Sequence, residues 1–193
     1  YIMGFSGGSK IALMEVQRHP ENYHAYIGMA QCVTDNEEND ALMYEFMKDV
    51  FTRRRENRNL VKLEDSVTHL DSGNIKCKDW YTYVDLLHEA GGGTIKDKSE
   101  FEGITWPIIT ARCYTLSEKI NYVKGMKMYR KTTLAEELDD FDYRKTITEL
   151  KVPVFFISGE YDYNCPWELV QDYCEVINAP EKKFYKINNA AHS

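Results

Sequence analysis

The sequence predicts an α/β protein in which a mostly parallel sheet is interrupted by a long helical insertion. Three observations predict it. Gly4-Phe5-Ser6-Gly7-Gly8 stands between the apolar Tyr1-Ile2-Met3 and an amphipathic segment, the pattern of a strand turning sharply into a helix. The continuous apolar run Val152-Pro153-Val154-Phe155-Phe156-Ile157, ending at Ser158-Gly159, suits a strand covered on both faces. Between them, residues 35 to 149 carry helical patterns and no convincing strand.

Taken in order, residues 1–3 read as the end of a buried strand. From Gly7 to His19, Ile11, Ala12, Met14 and Val16 recur at helical spacing, and His19-Pro20 ends the helix. Ala25 to Ala30 reads as a second buried strand, which completes a βαβ unit of the kind that builds parallel sheets. Asn36 to Asn57 is strongly charged but places Leu42, Phe46, Met47, Val50 and Phe51 on one helical face. Cys77 to Ala90, with Trp80, Tyr83, Val84 and Leu87, is another amphipathic helix, broken by Gly91-Gly92-Gly93. Ile104 to Tyr114, Leu116 to Tyr129 and Thr133 to Leu138 also read as helical. After the apolar run, Pro166 opens a helix carrying Trp167, Leu169, Val170, Tyr173 and Val176. Phe184 to Ile187 is the last strand. The expected organisation is a sheet core from 1–34 and 150–193 with an all-helical cap at 35–149, and insertions this long over such sheets commonly form substrate-binding lids.

Composition narrows the function. The 193 residues are 43% hydrophobic and 28% charged, enough for one sizeable core. A net charge of −7 argues against a nucleic-acid surface, and Arg53-Arg54-Arg55 lies in a mixed acidic helix as a solvated face. Cys32, Cys77, Cys113, Cys165 and Cys174 are scattered without metal-site spacing, so they read as reduced thiols of a cytoplasmic protein. No apolar run reaches the about 18 residues that span a membrane. The expected partner is a small-molecule or short-peptide substrate, with no nucleic acid and no membrane.

Ser6 lies in a Gly-x-Ser-x-Gly turn, where side chains on neighbouring residues would clash with backbone and the serine is held strained and exposed. A serine hydroxyl becomes a nucleophile when a base takes its proton and a third group orients that base. Functional residues of open α/β sheets gather at the carboxyl ends of strands. Asp162 follows the strand at 152–157, and His192 follows the strand at 184–187 behind the small residues Ala190-Ala191. Each has a plainer role when taken alone: a capping aspartate for Asp162, a surface residue near the chain end for His192. Asp35, after the second strand, is the alternative acid. The chemistry calls for no cofactor and no metal.

Gly-Phe-Ser-Gly-Gly-Ser, followed by His-Pro-Glu-Asn and Ala-Tyr-Ile-Gly-Met-Ala-Gln, resembles the elbow region of capped α/β-hydrolases of the prolyl aminopeptidase-like group. Val-Pro-Val-Phe-Phe-Ile-Ser-Gly-Glu-Tyr-Asp-Tyr-Asn-Cys-Pro and the closing Ala-His-Ser are similar to the acid and histidine segments of the same group. The resemblance implies Ser6 as nucleophile, Asp162 as acid, His192 as base, and the Gly7 N–H as an oxyanion-hole donor. A glycine at position 7 departs from the bulky residue usual after the serine. The resemblance also implies four strands before the elbow, a second oxyanion donor from one of their loops, and a helix after the histidine. The chain is therefore expected to be the C-terminal two-thirds of a hydrolase core, with an open strand edge near Tyr1-Ile2-Met3 that the N-terminal part would cover.

The implied activity is a serine hydrolase cleaving a small ester or amide, an N-terminal aminoacyl peptide among the candidates. Glu37, Glu38, Glu100, Glu102, Glu136 and Glu137 can hold a substrate ammonium or form a solvated acidic surface. Trp80, Trp106, Tyr122 and Tyr129 can line a pocket or pack the cap on the core. The alternative is a hydrolase-like binding protein without turnover. An aspartate-nucleophile enzyme is disfavoured by the serine in the elbow.

Overall fold

The computed structural model describes residues 1–99, 101–129 and 141–193. The strands β1 (Ile2–Phe5), β2 (Tyr26–Met29), β5 (Val154–Gly159) and β6 (Lys182–Ile187) form one parallel sheet in the order β1-β2-β5-β6. Its register sets Ile2 beside Tyr26, Met29 beside Ile157 and Gly159 beside Ile187. Neighbouring parallel strands need crossovers. Helix α1 (Gly7–Arg18) supplies the one between β1 and β2. A helix at Trp167–Val176, α8 below, supplies the one between β5 and β6.

The sheet core includes Ala12, Leu13 and Val16 of α1, Tyr26, Val154 and Phe156 of the strands, and Leu169, Val170 and Tyr173 of α8. The inward stripe of α1 is shifted from the expected one: Leu13 is fully buried, while Ile11 faces outward. A stripe read from sequence marks the apolar positions, and the tight turn at Ser6 sets which of them face the sheet.

The insertion between β2 and β5 builds a second core. Helices α2 (Glu37–Arg54), α3 (Asn57–Asp65) and α4 (Trp80–Ala90) bury Met43, Met47, Phe51, Leu63, Tyr83, Leu86 and Leu87 against one another. The insertion is not all-helical. Strands β3 (Val67–His69) and β4 (Ile75–Cys77) form an antiparallel hairpin that adds Val67 and Ile75 to this core. At three residues each they are too short for alternation to stand out, and Cys77, expected in a helix, ends a strand.

Beyond α4, the run expected as a helix from Ile104 to Tyr114 is a π-type turn at Phe101–Thr105 followed by α5 (Trp106–Thr110). Helix α6 (Leu116–Tyr129) has the expected limits. The expected helix at Thr133 to Leu138 lies outside the described residues. A short helix, α7 (Tyr143–Thr146), leads back to the sheet, and α8 begins one residue after Pro166. No helix among the described residues is long and apolar enough to cross a membrane.

Candidate active site

Three loops past the carboxyl ends of β1, β5 and β6 bring Ser6, Asp162 and His192 into one hydrogen-bonded line. Ser6 Oγ is 2.7 Å from His192 Nε2. His192 Nδ1 lies 3.0 and 3.1 Å from the two carboxylate oxygens of Asp162. In the arrangement that satisfies all three groups, the serine hydroxyl donates to Nε2 and the Nδ1 hydrogen is donated to Asp162. The Cys165 N–H also donates to Asp162 Oδ1 at 2.9 Å.

The elbow holds Ser6 at φ 51°, ψ −129°, a conformation costly for any residue with a Cβ. The Ser6 N–H bonds Met29 O of the neighbouring strand at 3.0 Å, and the Ser9 hydroxyl donates to Ser6 O at 2.5 Å. The glycine requirement is one-sided. A Cβ on Gly4 would lie 2.5 Å from Ser9 Cα, whereas one on Gly8 would meet nothing within 4 Å. The expectation of obligatory small residues on both sides thus holds at Gly4 only.

The acid and histidine loops touch directly. Tyr161 N–H donates to Ala190 O at 2.8 Å, and Glu160 N–H to Ile187 O at 2.9 Å. Gly159 makes this closeness possible, since a Cβ there would sit 2.0 Å from Ala191 O. Asp162 is fully buried and His192 nearly so. Burial alone would drive the imidazole toward its neutral form. The hydrogen bond and charge of Asp162, with a smaller contribution from Cys32, outweigh it and raise the His192 pKa above its ordinary value.

The insertion holds the same loops from the opposite side through residues that the sequence marked only as a helix breaker. Tyr163 N–H donates to Gly92 O at 3.1 Å, His192 N–H to Gly93 O at 3.3 Å, and Ser193 N–H to Thr94 O at 2.9 Å. His88, buried beneath, accepts from Thr94 N–H at 3.2 Å. A Cβ on Gly93 would come within 2.4 Å of the His88 ring. Phe46 stacks on Tyr163 with ring centroids 4.0 Å apart. The run of three consecutive glycines was the available signal.

A cavity of about 480 Å³ opens over Ser6 and His192, lined also by Gly7, Cys32, Trp80, Phe141 and Leu169. Asp35, the alternative acid, lines this cavity at an exposed position, while the imidazole Nδ1 rests on Asp162. An adjoining cleft shares Asp35 and Trp80 with the cavity and adds Glu37, Glu38 and Asp40. Arg144 pairs with Glu38 at 2.6 Å. Glu102 is turned back onto Ser99. Trp106 and Tyr122 are exposed. Glu100, Glu136, Glu137 and the side chain of Tyr129 lie outside the described residues. Among those described, no group of three His, Cys, Asp or Glu side chains is placed to hold a metal ion.

No family model matches the chain. It is 24% identical over 199 residues to a probable aminopeptidase of Bacillus subtilis (strain 168), YbaC, covering all of this chain and 59% of that protein. In structure it is similar to a proline iminopeptidase of Mycobacterium smegmatis, with a TM-score of 0.52 and 14% identity over 98% of this chain and 57% of the other. An esterase of Exiguobacterium antarcticum has a TM-score of 0.48 and 17% identity, over 99% of this chain and 59% of its own. The chain thus spans less than two thirds of the proteins it matches. With its parallel sheet and the sharp strand-to-helix turn at Ser6, the chain has the fold of the α/β-hydrolase superfamily and is aminopeptidase-like in its similarities.

Proposed function

We propose that this chain carries the catalytic triad of a serine hydrolase, with Ser6 as nucleophile, His192 as general base and Asp162 as the orienting acid. The observation that carries it is the continuous hydrogen-bonded line from Ser6 Oγ through the imidazole to a fully buried carboxylate. As the hydroxyl attacks a carbonyl carbon, Nε2 takes its proton and Asp162 stabilises the imidazolium. The oxyanion faces the N-terminus of α1, where the Gly7 N–H is one donor and no acidic side chain occupies the first turn. Such a donor contributes roughly 3 kcal/mol to the transition state. The imidazolium protonates the leaving group, and water activated by His192 then releases the acyl group.

The lining of the cavity supports a substrate class. Its interior mixes Trp80, Phe141 and Leu169 with the polar triad, and one side opens toward the acidic cleft of Asp35, Glu37 and Asp40. An acyl group bearing a free ammonium fits both features, which accords with the aminopeptidase name of the Bacillus relative. The substrate is a short peptide or aminoacyl amide, with small esters also cleaved. Met3 and Phe5 are exposed on β1, the edge strand of the sheet beside this site.

A fluorophosphonate probe on the full-length protein tests the proposal. Labelling of Ser6 that disappears in Ser6→Ala is expected. A folded full-length protein that resists the probe and hydrolyses neither aminoacyl amides nor short acyl esters is a binding protein instead.

A further inference from the structure

Two of the five cysteines meet beside the triad, and the proposed chemistry uses neither. Cys32 follows β2 and Cys165 follows β5, its neighbour in the sheet, so parallel pairing brings the two loops together across 133 positions of sequence. Their sulfurs are 3.2 Å apart, and both residues line the cavity over Ser6. We propose that Cys32 and Cys165 form a reversible redox site in the cavity wall, where a peroxide joins them in a disulfide that slows reaction at Ser6.

The pair is asymmetric in the way such a step needs. The hydrogen bond from Cys165, helped by the charges of Lys10 and His192, holds the Cys32 thiol below its ordinary range despite burial. The same hydrogen bond, with burial, pushes Cys165 well up. Cys32 is therefore the attacking thiolate and Cys165 the resolving thiol. The Cys32 thiolate attacks one oxygen of hydrogen peroxide, the O–O bond breaks, and hydroxide leaves; Cys32 is now a sulfenic acid. The Cys165 sulfur attacks Cys32 Sγ, the S–S bond forms as the S–O bond breaks, and the departing hydroxide takes the Cys165 proton. Two thiols and one peroxide become one disulfide and two waters, and a dithiol reductant reverses the change.

An S–S bond of about 2.05 Å requires the sulfurs to close by about 1 Å. Both residues that would move are tied to the site through their main chains. The Cys165 N–H is bonded to Asp162 Oδ1, and the Cys32 N–H to Ser9 Oγ, which itself holds Ser6 O. Displacing a catalytic group by this much costs up to about a hundredfold in rate.

The test uses the full-length protein, purified reduced and titrated with hydrogen peroxide. Remaining thiols are then blocked and the digest mapped by mass. The expected result is a peptide pair joined through Cys32 and Cys165, absent in Cys165→Ser, while exposed Cys113 is recovered blocked. Fluorophosphonate labelling of Ser6 is expected to slow by about tenfold or more and to recover with dithiothreitol. Recovery of Cys32 as a sulfinic acid with Cys165 still free overturns the proposal, and so does a linked pair with an unchanged labelling rate. A reduced protein that takes no probe counts against the serine-hydrolase reading alone, because the peptide map reads the linkage whatever Ser6 does.

Discussion

The sheet and the insertion both grip the loops that carry Asp162 and His192, but they do so by different physics. On the sheet side the grip is steric. Strand ends bring two backbones so close that Gly159 has no room for a Cβ, and Ser6 is driven to a positive φ. On the insertion side the grip is made of carbonyl groups: Gly92, Gly93 and Thr94 each accept from the acid or histidine loop. Steric closeness fixes position with little tolerance. A set of carbonyl acceptors fixes orientation and gives way one bond at a time. The same contrast divides the insertion itself. Residues 43–90 bury a core of their own, whereas α5 and α6 leave Trp106, Ile109, Leu116 and Val123 exposed.

Breaking the line itself should produce the largest effect. Ser6→Ala and His192→Ala are each expected to lower kcat by roughly 10⁴ to 10⁶ and by similar amounts, because the pair acts as a unit. Steady-state hydrolysis by the full-length variants checks this, and a near-normal rate in either would remove the proposed nucleophile or base. Asp162→Asn should cost roughly 10⁴ in kcat. It should also move the acid limb of the pH profile downward. Activity needs the neutral imidazole, and its raised pKa places that limb above the ordinary histidine value. Stability runs the other way over the same interval. The favoured imidazolium contributes fully below the unfolded-state pKa, and its contribution is lost as pH climbs through the folded one.

The two grips separate at the glycines. Gly159→Ala puts its methyl against Ala191 O and should lower kcat by about a hundredfold, with a fall in Tm. Gly93→Ala meets the His88 ring instead, a side chain rather than a main-chain carbonyl, so about tenfold in kcat and about 1–3 kcal/mol in stability are expected. Equal effects from both substitutions would erase the distinction drawn between them. Trp106→Ala, on the exposed part of the insertion, should change stability by no more than about 0.5 kcal/mol in chemical denaturation.

The parts of the site that follow apolar runs were legible in the sequence. Ser6 and Asp162 each follow an apolar run, His192 follows the mixed strand at 184–187, and parallel strands must place their carboxyl ends together. The hairpin at residues 67–77 was not, because two three-residue strands give no periodicity; the turn around Gly73, at φ 83°, was its only mark. Gly91-Gly92-Gly93 showed that α4 ends but not that its carbonyls reach the histidine loop, a fact of tertiary contact. The meeting of Cys32 with Cys165 follows from strand order alone, and strand order emerges only once β2 and β5 are known to be neighbours.

The acceptors on Gly93 and Thr94 have a consequence for traffic through the site. An insertion that swung away as a hinged cover would release the main chain of His192 and Ser193 together, and the base would lose its alignment at the moment the cavity opened. If the proposed function holds, a substrate would have to reach Ser6 while the bonds to Gly92, Gly93 and Thr94 stay made. Opening the cavity and keeping the imidazole aligned are then separate demands on the insertion, and these three carbonyls serve the second.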